Sequence, residues 1–211
     1  MTVAEKIAAI GENCGKLYTA GMDFICAAIS QPAGIFYKAA FPANQSLTLK
    51  LPNTGADLRE MIRLTTGLRQ LNLILPTGQA YRLGYFAYSS ADLQILQLPE
   101  GVQVADMANF VSRCSLLEEI RGALDLSGCT AADNAFTMCD SLREVRFAPQ
   151  SIPVSLSFKQ SQLLSAASVA SVLEGLATVE TTQTLTFHQT VKDTLTEAQK
   201  AALQAKNWTL G

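Results

Sequence analysis

The sequence predicts an α/β right-handed solenoid. Parallel strands stack through a shared apolar core, short helical or irregular segments return the chain, and the two ends carry an N-terminal helix and a C-terminal helical cap. Two observations predict it. Four segments follow the pattern L-x-x-L-x-L or an apolar variant of it: Leu68-x-x-Leu71-x-Leu73, Leu93-x-x-Leu96-x-Leu98, Leu117-x-x-Ile120-x-Gly122 and Leu142-x-x-Val145-x-Phe147. Their first residues are 25, 24 and 25 positions apart, and eleven of the twelve pattern positions are apolar, Gly122 being the exception. The segments between them repeat with the same steps. Leu58, Leu83, Met107 and Ala132 form one column, Met61, Phe86, Phe110 and Ala135 a second, and Ile62, Ala87, Val111 and Phe136 a third. A fourth column holds only small residues: Thr65, Ser90, Cys114 and Cys139. Columns that share one set of steps are the signature of a repeat architecture.

In each strand the last two pattern residues are two apart and so face the same side. A single unit leaves that row in water. Stacking units as parallel strands about 4.8 Å apart buries the row, at roughly 1.5–3 kcal/mol per large apolar side chain. In the return segments, pairs such as Leu83 and Phe86 have i, i+3 spacing, which suits a short helix or helical turn closing the other side of the core.

The remaining elements fall around this centre. Ser46 to Pro52 alternates and is expected to be the first strand, and Thr184 to Phe187 alternates near the other end. Between Ser165 and Ala177, Val169, Val172, Leu173 and Leu176 make a helical stripe. Thr196-x-x-Gln199 is a capping box opening a helix to about Lys206. Asn207 is the expected helix stop, and Trp208 is expected to cover the last core layer. At the start, Val3, Ile7, Ile10, Cys14 and Leu17 form an a/d seam of about two heptads after the capping box Thr2-x-x-Glu5. That seam reads either as a helix packed over the first repeat or as an oligomerisation stalk. The expected division is a helical N-terminal segment over residues 1–40 and a repeat domain with its cap over 41–211.

Composition narrows the function classes. Of 211 residues, 48% are hydrophobic and 16% charged, which supports a packed core and argues against disorder. Sixteen Lys and Arg against eighteen Asp and Glu, with no basic block, leave no electrostatic footprint for nucleic acid. Five cysteines, an odd number without CxxC or Cys/His clusters, argue against a disulfide framework or a zinc site. Neither a Sec signal nor a transmembrane segment is recognised, so cytoplasmic, phage-particle and non-classically exported locations all stay open.

The stretch Phe136-Thr137-Met138-Cys139-Asp140-Ser141-Leu142-Arg143-Glu144-Val145 resembles the F-x-x-C-x-x-L-x-x-V/I signature of leucine-rich-repeat proteins of the BspA-like class. Val111 to Ile120 is similar to it, with Val111 in place of the phenylalanine. Leu195 to Leu210 is similar to the terminal cap of such proteins in gut Firmicutes and their prophages, and Thr2 to Ile7 to the start of some phage-associated chains. The resemblance covers roughly residues 46 to 210. It implies a bacterial protein, cell-surface or phage-associated, that binds a partner. Pro76 and Gly101 stand where many leucine-rich repeats carry asparagine, so no asparagine ladder is expected.

No catalytic constellation stands out. His188 is the only histidine and follows an apolar strand without a framing acid and nucleophile, so a strand-end histidine is the expectation. Asp125 and Asp133 lack an EF-hand pattern. Cys114 and Cys139 hold equivalent positions, as a core ladder or, if adjacent, an oxidisable pair. No enzyme activity, cofactor or metal is expected. The residues between the core leucines point outward, and among them Arg69, Asn72, Gln97, Glu118, Arg121, Arg143 and Arg146 are the candidate partner-binding residues. Stacking is expected to align Asn72, Gln97, Arg121 and Arg146 in one row. The expected function is non-enzymatic recognition of a protein or glycan through this strand face. The alternative is a structural protein of a phage tail or cell-surface complex, assembling as a homo-oligomer through residues 3–17.

Overall fold

The structure, a computed structural model, describes residues 23–25, 32–52 and 54–211. The helix expected over residues 3–17, with Cys14 and Cys26, lies outside the described residues. What is described is a mixed α/β fold dominated by a curled parallel sheet. Its strands are β1 (Asp23–Ile25), β2 (Ala40–Lys50), β3 (Thr66–Ile74), β4 (Tyr81–Arg82), β5 (Ile95–Gln97), β6 (Val102–Asp106), β7 (Glu119–Asp125) and β8 (Glu144–Phe147). The order is β1-β2-β3-β5-β7-β6-β4, with β8 also on β7. Strand β1 adds a layer ahead of Ser46–Pro52, where the sequence places the first strand: Asp23 pairs with Thr48.

The register follows the sequence columns. Leu47 pairs with Leu71, Leu71 with Leu96, and Leu96 with Ile120, all in parallel. These residues and the return-segment columns are buried together in one core. Phenylalanines run through it: Phe86 to Phe110 at 5.8 Å between centroids, Phe110 to Phe136 at 6.4 Å, and Phe136 to Phe158 at 4.6 Å.

The return segments are not helical, contrary to the i, i+3 spacing. Each is a pair of successive turns with two left-handed residues four positions apart. Glu60, Tyr85, Asn109 and Asn134 form one such column, and Leu64, Ser89, Arg113 and Met138 the other, with φ between 55° and 64°. Every second amide points to the next unit. The N–H groups of Ile62, Ala87 and Val111 donate to the carbonyls of Phe86, Phe110 and Ala135 at 2.9, 2.9 and 3.0 Å. The reason is spacing. Strands stack about 4.8 Å apart, whereas packed helices need about 8–10 Å. A return that keeps pace with the strands must be as thin as a strand and must bond across units. The same bonding reaches back to Gly34, Phe36 and Lys38, which donate to Arg59, Met61 and Arg63.

The small-residue column has a bonding role. Ser90 Oγ donates to the Ile62 carbonyl, Cys114 Sγ to that of Ala87 at 2.9 Å, and Cys139 Sγ to that of Val111 at 3.2 Å. Ile62, Ala87 and Val111 are equivalent residues of successive units, so one donor per unit satisfies one carbonyl of the unit before it. Burial pushes the Cys114 thiol up to about 12 and raises Cys139 as well. Both are free thiols.

Past β8 the pattern reverses. Helix α1 (Ala166–Gly175), capped by Ser165, lies beside β8 where another strand would lie. Its hydroxyls meet the strand edge: Val145 N–H donates to Ser168 Oγ at 3.0 Å and Phe147 N–H to Ser171 Oγ at 2.9 Å. The strands of this region form a second parallel sheet, β11-β10-β9, made of β9 (Leu156–Phe158), β10 (Gln183–Phe187) and β11 (Trp208–Leu210). Helix α2 (Gln189–Lys192) leads to α3 (Glu197–Ala205), which opens with the Thr196/Gln199 capping box. Asn207 has φ 65°, and Trp208 is 1% exposed with Nε1 donating to Ala177 O at 2.8 Å. No helix among the described residues is long and apolar enough to cross a membrane.

Candidate functional site

The parallel register carries outward-facing side chains in rows as it carries leucines in the core. One row runs Arg69, Gln94, Glu118, Arg143. Its backbone is tied by Gln94 N–H to Arg69 O (2.8 Å), Glu118 N–H to Gln94 O (2.9 Å) and Arg143 N–H to Glu118 O (2.9 Å). A second row runs Thr48, Asn72, Gln97, Arg121. Arg69, Glu118, Arg121 and Arg143 are exposed, and Asn72 and Gln97 are half-buried. Six of the seven candidate residues thus lie in two rows on one face, with the row Gln70, Ile95, Glu119 and Glu144 between them.

Arg146 does not join the second row. Glu119 pairs with Glu144, but Ala123 pairs with Arg146, so the register slips by two residues inside β7. The cause is Gly122, the exception in the leucine pattern. Its φ is +87°, and a Cβ there would stand 2.3 Å from the Leu98 carbonyl oxygen. The chain bulges at a point only glycine can occupy, and Leu124 then enters the core beside Phe147. Arg146 instead reaches Glu100 at 3.5 Å.

Most polar groups of this face are held locally. Arg121 pairs with Glu119 at 2.6 Å, Arg69 Nε donates to Gln94 Oε1 at 2.7 Å, and Gln97 Nε2 to Leu98 O at 2.8 Å. Charges of both signs are mixed on the face, and no aromatic ring is exposed on it among the described residues.

A second cluster, absent from the sequence reading, stands on the return side. Tyr37, Arg63 and Tyr88 occupy the same position of three successive returns, 26 and 25 residues apart. The Arg63 guanidinium carbon lies 5.5 Å from the Tyr37 ring centroid, 5.4 Å from Tyr88 and 5.1 Å from Tyr85. Glu60 Oε1 accepts from Arg63 Nη1 at 3.0 Å. Beside it opens a cleft of about 490 Å³, walled by Arg59, Glu60, Tyr85 and Asp106 over Gly84 and Ala108. Arg59 also pairs with Asp57 at 2.6 Å, and this hydrogen bond holds the Asp57 carboxyl below its ordinary value. The step of 25 that aligns Leu68 with Leu93 also aligns Arg63 with Tyr88, but the step of 26 from Tyr37 to Arg63 is not one of the leucine steps.

A second cleft, about 310 Å³ between α1 and α3, is lined by Ala170, Leu173, Ala202 and Leu203 with Lys206 at its edge. Lys206 Nζ donates to the Leu173 and Leu176 carbonyls at 3.3 and 2.7 Å, so it ties the two helices together. His188 caps α2 at the end of β10, with Nδ1 accepting from Thr190 N–H at 3.3 Å. Asp125 likewise caps a turn, accepting from Ser127 N–H at 2.9 Å. Among the described residues, no group of three or more His, Cys, Asp and Glu is placed to hold a metal ion. Comparison of the chain with protein families, curated proteins and solved structures finds no match.

Proposed function

We propose that this chain is a leucine-rich-repeat solenoid, similar to the BspA-like class, acting as a non-enzymatic recognition module whose strand face binds a protein partner. One observation carries the reading: parallel register fixes Asn72, Gln97 and Arg121 in one outward-facing row, with the exposed Arg69, Glu118 and Arg143 in a second row on the same face. A rigid sheet that presents guanidinium, carboxylate and amide groups at regular spacing meets a partner with its polar groups already positioned, which favours specificity and on-rate. The mixture of Arg and Glu, without an exposed aromatic ring, favours a protein over a glycan. Glycan recognition draws on aromatic faces, and these stand on the other side of the molecule.

The test uses the immobilised full chain to capture partners from an extract of the source cell, beside the variant Arg121→Gln/Arg143→Gln. Neutralising both guanidiniums avoids placing new carboxylates beside Glu119 and Glu118. Both sites are exposed, so the thermal midpoint is expected to move by less than about 4 °C. Partner capture is expected to fall at least tenfold. Undiminished capture by the folded variant removes this face as the binding surface.

A further inference from the structure

We infer that the cleft on the return side is a saccharide-binding site, separate from the strand face. Its aromatic wall is Tyr85, braced in advance from outside the cleft. Arg63 stands between Tyr37 and Tyr88 and touches Tyr85, so the rings are held by a cation of the chain's own. Tyr85 and Tyr88 lean on each other at 5.5 Å and 52°. Tyr85 stays 38% exposed and lines the cleft. Around it the polar groups are mixed. Glu60 Oε1 is taken by Arg63, which leaves Oε2 to accept, Asp106 leaves Oδ2, and Arg59, whose Nε and Nη2 go to Asp57, leaves Nη1 to donate. Asp106 keeps one oxygen on its own turn, accepting from Ala108 N–H at 3.0 Å, which fixes the carboxyl in place. Gly84 leaves the floor open: a Cβ there would stand 3.0 Å from Asp106 Oδ2.

The chemistry of the walls selects the ligand class. An anion would meet two carboxylates and only one guanidinium, which Asp57 already neutralises. A cation would meet Arg59 at the wall and Arg63 behind the rings. An apolar ligand would bury charged groups without partners, which is costly. A neutral polyol fits all of it. The C–H face of a pyranose lies on the electron-rich face of Tyr85. Its hydroxyls donate to Glu60 and Asp106 and accept from Arg59. A volume of about 490 Å³ is within the ordinary range of small-ligand clefts and admits a mono- or disaccharide.

The test is saturation-transfer difference NMR on the full chain with neutral sugars at millimolar concentration: glucose, galactose, mannose, N-acetylglucosamine, lactose and cellobiose. Transfer is expected to the ring C–H protons of at least one of them. It is expected to weaken at least tenfold in Tyr85→Ala and in Asp106→Asn, which keeps the turn-capping acceptor. Tyr85→Phe is expected to retain it, as is Arg121→Gln/Arg143→Gln. No transfer to any sugar overturns the inference. So does binding that survives Tyr85→Ala in a chain with the wild-type circular-dichroism spectrum, and so does tighter binding of spermidine than of any sugar.

Discussion

Replacing Gly122 tests whether the leucine pattern or the local backbone governs that position. By the pattern, leucine belongs there, and burying its side chain would contribute about 1.5–3 kcal/mol. The structure gives the opposite sign. A residue with a Cβ at φ +87° costs about 1–2 kcal/mol. That Cβ would also stand 2.3 Å from Leu98 O and 2.9 Å from Pro99 O, both main-chain atoms that move only with their strand. Displacing packed structure in this way adds about 1–3 kcal/mol. Gly122→Ala is therefore expected to lose about 2–5 kcal/mol, and Gly122→Leu at least as much. Gly101, at φ +65°, and Gly78, at φ +82°, have nothing within 4 Å of the same virtual atom. Their alanine variants isolate the dihedral cost, about 1–2 kcal/mol. Urea unfolding followed by fluorescence of Trp208, the sole and buried tryptophan, reads all four variants on one scale. Gly122→Ala no less stable than Gly101→Ala would refute the close-approach argument, and a stabilised Gly122→Leu would refute the register shift itself.

The other predictions concern the core and its closure. Cys114 and Cys139 are expected to react with a thiol reagent only as fast as the chain unfolds, because burial disfavours both thiolates; fast labelling of either in the native protein would contradict this. Their folded values lie above the ordinary value of 9.0, so the neutral thiol is the form that folding favours. Stability is fully present below about pH 9 and falls as pH rises towards about 12, by at most about 1.4 kcal/mol per pH unit for each thiol. A Cys114→Ala/Cys139→Ala chain with the same alkaline slope would show that other groups cause the fall. Ser168→Ala leaves the Val145 N–H without its acceptor inside the protein and is expected to cost about 1–3 kcal/mol in urea unfolding; a neutral result would mean that water takes over the strand edge. Trp208→Ala is expected to cost about 3–5 kcal/mol by calorimetry, and a loss under 1 kcal/mol would show that the last layer closes without the ring.

The core was legible because burial is periodic. Leu71, Leu96 and Ile120 announce their own pairing, and the strand-face rows follow from the same steps. The cap at Thr196 was legible because hydroxyl and amide side chains at helix starts have a fixed chemistry. The returns were not. Glu60, Leu64 and Tyr85 carry positive φ without being glycine, and bonding between units imposes that conformation with no residue type to mark it. The slip at β7 was visible only as a blemish at Gly122, and it took Arg146 out of its expected row. The tyrosine and arginine cluster carries no hydrophobic period, because Arg63 interrupts the column of Tyr37 and Tyr88 and the step from Tyr37 is 26.

The exchange of strand for helix at β8 gives the molecule a sense of direction. Ser168 and Ser171 occupy hydrogen-bonding positions that a further front strand would need, so that border is shut to further pairing. Lengthening or shortening by whole units is confined to the stretch before it, where successive layers present interchangeable edges. A chain with one 25-residue period duplicated between β3 and β7 would keep both its termini and its seal. The same period placed after β8 would find no edge to join.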